Sequence, residues 1–446
     1  MGCDPRDALR ALGDFVAELR APEPDAEFGS LLHRTLLDTL GVVVAGAQTP
    51  ELRALIDAWA PPEGPARILG AGRRASVESA AYLNGVASVC LELDEGNKYA
   101  RGHPATHVLP AVLAVAQRQR ARGAEFATAF LAGHEVASRF GRATRLRPEV
   151  HPHGNWGITG AAAACARLMG LGPQQIAAAI DAASAMAIAS PWPAATEGDL
   201  VRNAWMGSAA VSGIAAARLA AAGLAGSTGL AATTLGRILG TFDACELTAA
   251  LGQRFDLGNA YFKRHASCSY THPAADAVLD IQSRHPELDV RSVQAVLVET
   301  YPIAATLDGT RVQTRLAGMF SIPYVVATVL AERHARPEAF DAAHRGDPEI
   351  QRLMQATRVV GSDEFARRLP EERAARVTLT LGDGSRIAGE VPNPVGDMAY
   401  HPFGLPEVRA KLAPLLPPGW EIDRFEGLVR ALVSAPDVNA VLEQMP

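Results

Sequence analysis

The sequence predicts a mainly helical protein with an α+β region late in the chain, and three observations carry that prediction. Hydrophobic residues make up 48% of the chain but aromatic ones only 6%, with alanine dominant, which suits helices packed through small side chains. From Asp7 to about Phe262, apolar residues recur at three- and four-residue spacing with Gly and Pro as punctuation. After about Lys263, segments of strand composition appear. At 446 residues the chain also exceeds the roughly 250–300 residues that one core usually serves, so more than one domain is expected.

Taken in order, Gly170-Leu171-Gly172-Pro173 stops one helix and opens the next, because proline at a first helical position lacks only an N–H that has no helical partner. Gly207 to Ala222 reads as a helix with Gly and Ala on its packing face, which permits close helix approach. Ser292 to Thr300 has strand composition. Arg376 to Leu381 and Arg386 to Val391 flank Gly382-Asp383-Gly384-Ser385, the pattern of a hairpin. A helix is expected over 319–333, between these strands, and helical signals return at Glu407 to Leu416 and Arg424 to Leu442. The expected division is a helical domain over 1–262, an α+β lid over 263–397 and a helical tail over 398–446.

Composition excludes several function classes. A net charge of −6 gives no footprint for nucleic acid or an anionic membrane, and an anionic substrate would need local cations to hold it. Five cysteines, scattered and without a CxxC pair, predict neither a disulfide framework nor an iron-sulfur cluster, and point to a reducing, cytoplasmic setting. The start of the chain has no secretion-signal pattern, and no run of 18 apolar residues is uninterrupted. HExxH, GxSxG, GxGxxG after a strand and GxxxxGK[ST] are all missing, so metal, acyl-enzyme and nucleotide chemistry are not expected and no cofactor is assigned.

Chemistry concentrates in three histidine-bearing segments: LELDEGNKYARGHPATHVLP (91–110), HPHGNWGITGAAAA (151–164) and FKRHASCSYTHPAADA (262–277). Each sets imidazole beside charged or hydroxyl groups next to Gly, Pro or an Ala-rich run, a composition that suits a polar pocket walled by helices. Lys98 and Arg101 are either cations for a carboxylate or simply exposed. The loop before Ile158 is expected to offer free N–H groups to an anion. Cys268 reads as a small buried filler, and Trp156 as a wall or core residue.

These segments resemble the signature blocks of the MmgE/PrpD family, which includes 2-methylcitrate dehydratase, cis-aconitate decarboxylase and iminodisuccinate epimerase. Blocks at 36–47, 80–88, 160–180, 207–226, 319–327 and 382–397 fit as well, so the resemblance spans nearly the whole chain. It implies that the tail rejoins the helical domain and that the protein is a homodimer, a reading the Gly/Ala-rich faces also favour. It assigns functional histidines to His103, His151 and His272, an acidic role to Asp94 and a lid hydroxyl to Tyr324, which otherwise reads as a core aromatic. His153 is the weaker candidate of its pair and also reads as a structural hydrogen-bonder. Lys263 or Arg264 is implied as a carboxylate anchor, and Arg202 stands where relatives commonly carry lysine, offering two-point carboxylate binding. Leu-Asp-Glu-Gly-Asn-Lys replaces the family's more familiar paired-aspartate element.

The implied activity is a cofactor-independent lyase acting on a small di- or tricarboxylate by proton abstraction α to a carboxylate. Dehydration of a hydroxy acid comes first, with epimerisation or decarboxylation as alternatives. A non-catalytic carboxylate-binding homologue is a further reading, disfavoured because binding alone would be served by Arg and Lys.

Overall fold

Alanine, glycine and β-branched residues dominate the helices that build the larger part of the molecule. The computed structural model describes residues 3–20 and 27–446. Among the described residues, nine long helices form the first part: α1 (Pro5–Glu18), α2 (Glu27–Gly46), α3 (Pro50–Trp59), α4 (Val77–Ala87), α5 (Pro104–Gln119), α6 (Gly123–Ala143), α7 (Ile158–Leu168), α8 (Pro173–Ala185) and α9 (Val201–Ala221). Helix α7 lies at the centre, against α5, α6, α8 and α9, and is buried on every side from Ile158 to Ala166. A helix with four consecutive alanines has no bulky face, so four neighbours can close on it. Where α6 meets α7, a Cβ on Gly160 would lie 2.3 Å from the Gly133 carbonyl oxygen, so only glycine fits the crossing.

One expectation concerned apolar runs. Helix α2 is long and apolar enough by composition to cross a membrane, but 72% of that stretch is buried by the rest of the chain. It is a core helix.

The later region is α+β. Strands β1 (Val293–Thr300), β2 (Thr357–Gly361), β3 (Ala375–Leu381) and β4 (Arg386–Val391) form one sheet in the order β4-β3-β1-β2. The hairpin β3–β4 pairs Leu379 with Ile387, and β1 lies antiparallel to β3. Strand β2, unanticipated from sequence, runs parallel to β1 after helix α12 (Pro348–Gln355); five residues wedged against a helix offer too short a pattern to read. Helices α10 (His272–Arg284) and α11 (Ile322–Glu332) pack together, and α10 covers β3 and β4.

The tail consists of α13 (Leu405–Leu412), α14 (Ile422–Leu432) and a short turn of helix at Val438–Leu442. The expected helices are shorter than predicted, because α13 stops before Pro414 and Pro436 interrupts the run after α14. Helices α13 and α14 lie on α2, and Asn439 donates to the Gln117 carbonyl at 2.9 Å. Lys411 on α13 donates to Asp38 of α2 at 2.6 Å and to the Leu93 carbonyl at 2.7 Å, which ties the tail to the loop carrying Asp94.

The expectation of unpaired cysteines is corrected at one pair: Cys3 and Cys245 form a disulfide across 242 residues. Helix α1 docks beside the short helix Cys245–Thr248 and brings the two together. Spacing gave no hint because the pairing depends on that docking alone. Cys90, Cys165 and Cys268 are free and buried.

Two glycine substitutions test the packing. Gly160→Ala is expected to destabilise by about 1–3 kcal/mol through overpacking. Gly427→Ala, inside α14 with open space around its position, is expected to be neutral or to stabilise by up to about 1 kcal/mol. Thermal melts of both variants check this; equal shifts would contradict the assigned close approach.

Candidate active site

Segment one meets the strand that leads into segment three through a two-residue antiparallel ladder, Gly96–Asn97 with Ala260–Tyr261. A Cβ on Gly96 would lie 2.4 Å from the Tyr261 ring, so the strands approach this closely only with glycine there. Two non-glycine residues on the same loop, Glu92 (φ 50°) and Arg101 (φ 57°), adopt left-handed backbone. Such a conformation costs on the order of 1 kcal/mol each and persists where surrounding contacts fix it.

At Arg101 those contacts are backbone carbonyls that accept from its guanidinium, and at Glu92 they are ionic. Lys263, fully buried, donates to Asp94 Oδ1 at 2.9 Å and to Glu92 Oε2 at 3.3 Å. Arg202, also buried, pairs with Glu92 on its other side. Burial pushes the Asp94 carboxyl up, but His103, Lys263 and Arg202 outweigh it and hold the group well below the usual carboxylate range. Burial likewise pulls the Lys263 ammonium down, and Asp94 with Glu92 reverse the shift. Removing one partner from such a cluster strands a buried charge, at a cost of about 3–5 kcal/mol.

Asp94 in turn orients His103, the N-cap residue of α5, whose Nδ1 lies 2.8 Å from Asp94 Oδ2 and 2.7 Å from the Glu95 carbonyl oxygen. Both neighbours only accept, so neutral His103 carries its proton on Nδ1 and leaves Nε2 as a lone pair. Because His103 offers no side-chain cap, Glu95 supplies one: its Oε2 accepts from the Ala105 N–H at 3.1 Å, and its Oε1 lies 3.1 Å from His134 Nε2.

His151 has the opposite tautomer. Its Nδ1 accepts from the His153 N–H at 3.1 Å, which places the proton of the neutral ring on Nε2. Ser190 fixes this loop, accepting from the His151 N–H through its carbonyl and donating to the His151 and His153 carbonyls. Trp192 stacks on the His151 ring at 5.2 Å. Burial, then the charge of Arg202, holds both His151 and His153 well below the usual imidazole range, so they stay neutral. The expected anion site at the start of α7 is not available. The Ile158, Thr159 and Gly160 N–H groups are taken by the carbonyls of Asn155, Trp156 and Gly157.

These groups surround a cavity of about 340 Å³, within the roughly 300–1,000 Å³ usual for small-molecule sites. Of the residues expected from sequence, His103, His151, Arg202, Lys98 and Arg101 line it. Asp94 and Lys263 stand directly behind, and His153 sits between the His103 and His151 rings, 3.4 Å from Arg202 Nη2.

Three others lie elsewhere. Tyr324 donates its hydroxyl to the Ala339 carbonyl at 2.6 Å inside the α+β region, Arg264 pairs with Asp276 at the surface, and His272 bonds the Ser267 carbonyl beside His265. Tyr324 is thus a core aromatic with its hydroxyl already used, and neither it nor His272 nor Arg264 is on the cavity wall.

The wall also holds residues that sequence reasoning did not assign: Glu92, Arg145, Ser269, Tyr270, Tyr301 and Arg373. Glu92, Ser269 and Tyr270 lie inside the histidine-bearing segments and were within reach of that signal. Tyr301 ends β1 and Arg373 precedes β3, and nothing local marks either. Cys268 lines the cavity too; burial pushes its thiol up to about 12.

Charge in the cavity is positive. Lys98 and Arg373 share Asp397, at 3.1 and 2.9 Å, which leaves one positive charge uncompensated. Arg101, donating to the carbonyls of Gly141, Arg142 and Thr144, adds a second, and Arg145 a third; neither has an ion-pair partner among the described residues. Asp94, His103 and His153 do offer three ligand atoms within 4.8 Å of one another. Asp94 is already divided between His103 and Lys263, however, and Arg202 abuts His153, so a dication there would face two fixed positive charges.

Fold and site together define a helical protein with a cationic, histidine-lined pocket that suits a small polyanion and proton transfer. The chain belongs to the MmgE/PrpD family: residues 10–261 match its N-terminal domain and residues 265–426 its C-terminal domain. It is similar to a cis-aconitate decarboxylase-like protein of Aspergillus oryzae, 26% identical over 97% of this chain and 95% of that protein. It is also similar to cis-aconitate decarboxylase of Aspergillus terreus, 26% identical over 92% and 89%. Human cis-aconitate decarboxylase is 31% identical over 46% of this chain and 44% of its own.

The buried histidines dictate an acid response. Burial lowers His107 to about 4 and holds His151, His153 and His272 well below 6.5. Between those values the unfolded chain binds protons that the folded one does not, so this stability is complete above pH 6.5 and is lost as pH falls toward 4. Unfolding at pH 5.5, followed by calorimetry in buffers of different ionisation enthalpy, should take up between about three and four protons from these four groups. Uptake near zero would mean that the histidines are charged in the folded state.

Proposed function

We propose that this protein is a cofactor-independent lyase that moves a proton on the carbon next to a carboxylate of a small di- or tricarboxylate. The observation that carries the reading is the pair of opposed tautomers in one cationic cavity. His103 Nε2 is a base backed by Asp94, and His151 Nε2–H is a fixed donor. The uncompensated charges of Arg101, Arg145 and the Lys98–Arg373–Asp397 group would hold the carboxylates and stabilise the enolate-like charge as it forms.

Dehydration uses both histidines. His103 takes the α-proton, the β C–O bond breaks, and the hydroxyl leaves as water with the proton returned by the imidazolium, while His151 Nε2–H holds the departing oxygen. Decarboxylation is the second reading, favoured by the names of the relatives in Aspergillus. In it a C–C bond breaks, CO₂ leaves, and protonated His103 delivers its proton to carbon. Epimerisation would require return of the proton to the opposite face.

The region 263–397 acts in this reading as a lid on a helical domain formed by 1–262 and 398–446. Tyr301, Phe320, Leu369 and Arg373 from that region reach the cavity, and Lys98 crosses to it through Asp397 and the Glu371 carbonyl. The active form is inferred to be a homodimer joined through the helical domain, where Leu219, Leu224 and Ile238 are exposed.

Incubation with hydroxy di- and tricarboxylates in D₂O, followed by NMR, tests the proton-transfer step. Exchange at the α-carbon is expected for at least one, with turnover unaffected by EDTA. His103→Gln should lower turnover by roughly 10²–10⁴-fold in a protein that stays folded. Full activity in that variant would remove His103 from the reaction. Light scattering at micromolar concentration should give twice the monomer mass; a monomer would contradict the proposed assembly.

A further inference from the structure

Among the groups on the cavity wall, Glu92 stands apart because it can only accept. The cations beside it match carboxylates of a substrate, and the Tyr301 hydroxyl, buried without a partner, can donate to one. Lys263 and Arg202 balance its charge, but its oxygens keep acceptor lone pairs at the wall, which a carboxylate-only ligand cannot use.

Three observations describe how Glu92 is held there. Its backbone is left-handed at φ 50°, a conformation that persists where surrounding contacts hold it. Its Oε2 accepts from Lys263 Nζ at 3.3 Å, which fixes one oxygen. Its Oε1 touches Arg202 but has no hydrogen bond of adequate geometry, although the residue is 1% exposed. That oxygen, ion-paired but not hydrogen-bonded, keeps a lone pair that a donor on a bound molecule can use.

We propose that Glu92 is a specificity-determining residue that selects substrates bearing a hydroxyl or amino substituent beside their carboxylates, against those bearing carboxylates alone. This rests on the carboxylate-lyase reading and narrows it: a hydroxy acid satisfies Glu92, whereas an unsaturated tricarboxylate such as cis-aconitate brings only acceptors to it. A site built to bond a polar group rejects the analogue that lacks it, because its own buried group is then left unpaired.

The experiment is a matched binding series by calorimetry with the full-length protein: malate and aspartate against succinate, and citrate against propane-1,2,3-tricarboxylate and cis-aconitate. In the wild type, at least one donor-bearing member of a set should bind at least about 10-fold more tightly than its donor-free counterpart. Glu92→Gln should reduce that preference to about 3-fold or less, and Glu92→Asp should keep part of it. If donor-bearing and donor-free members bind the wild type equally well, the selection assigned to Glu92 is wrong while the carboxylate reading stands. If none of them binds, and no α-proton exchanges, both fail. A wild-type preference that persists undiminished in folded Glu92→Gln places the selection on another residue and overturns the assignment.

Discussion

The rest of the site depends on one buried cluster of four charges, Glu92 and Asp94 with Lys263 and Arg202. The four come from three stretches: the two carboxylates from the loop after α4, Lys263 from just beyond the strand that pairs with it, and Arg202 from the first turn of α9. None would be stable in the interior alone, since an unpaired buried ion costs several kcal/mol, so the cluster forms only when all three stretches are in place. The fold thereby makes the geometry of His103 conditional on its own completion.

That conditionality explains why the two histidines differ. His103 receives a carboxylate because Asp94 is held ionised by Lys263, and its free nitrogen is consequently the basic one. His151 receives only a backbone N–H, and burial, then the nearby guanidinium of Arg202, keeps it neutral so that it donates. The same residue type thus takes complementary parts through its neighbours, without any difference in local sequence that would foretell it.

The scaffold keeps these positions through close packing and long-range ties. Helix α7 follows directly on the His151 loop and is gripped by four helices at small residues, which leaves the loop little freedom. Behind the other loop, Lys411 of the tail binds the Leu93 carbonyl next to Asp94. A residue more than 300 positions away therefore braces the acid that orients His103. The Lys98–Asp397–Arg373 group does the same between the helical part and the α+β region, while leaving a surplus charge in the cavity.

Periodicity, alanine content and a Gly-rich turn between two strand-like runs were enough to read the helical character and the hairpin at 375–391, because these are local patterns, whereas the two histidines that reach the cavity wall followed from the resemblance of their segments to the family's blocks. Helix ends at Gly170 and Pro173 followed from backbone sterics and were equally legible. Tertiary structure alone decided what depends on distant approach: the Cys3–Cys245 pair, strand β2, and the presence of Tyr301 and Arg373 in the cavity. It also turned Tyr324, His272 and Arg264 away, since each found a partner closer than the cavity, in Ala339, Ser267 and Asp276. A motif specifies which group is available, but hydrogen-bond and ion-pair satisfaction on folding determines which groups remain free to face a ligand.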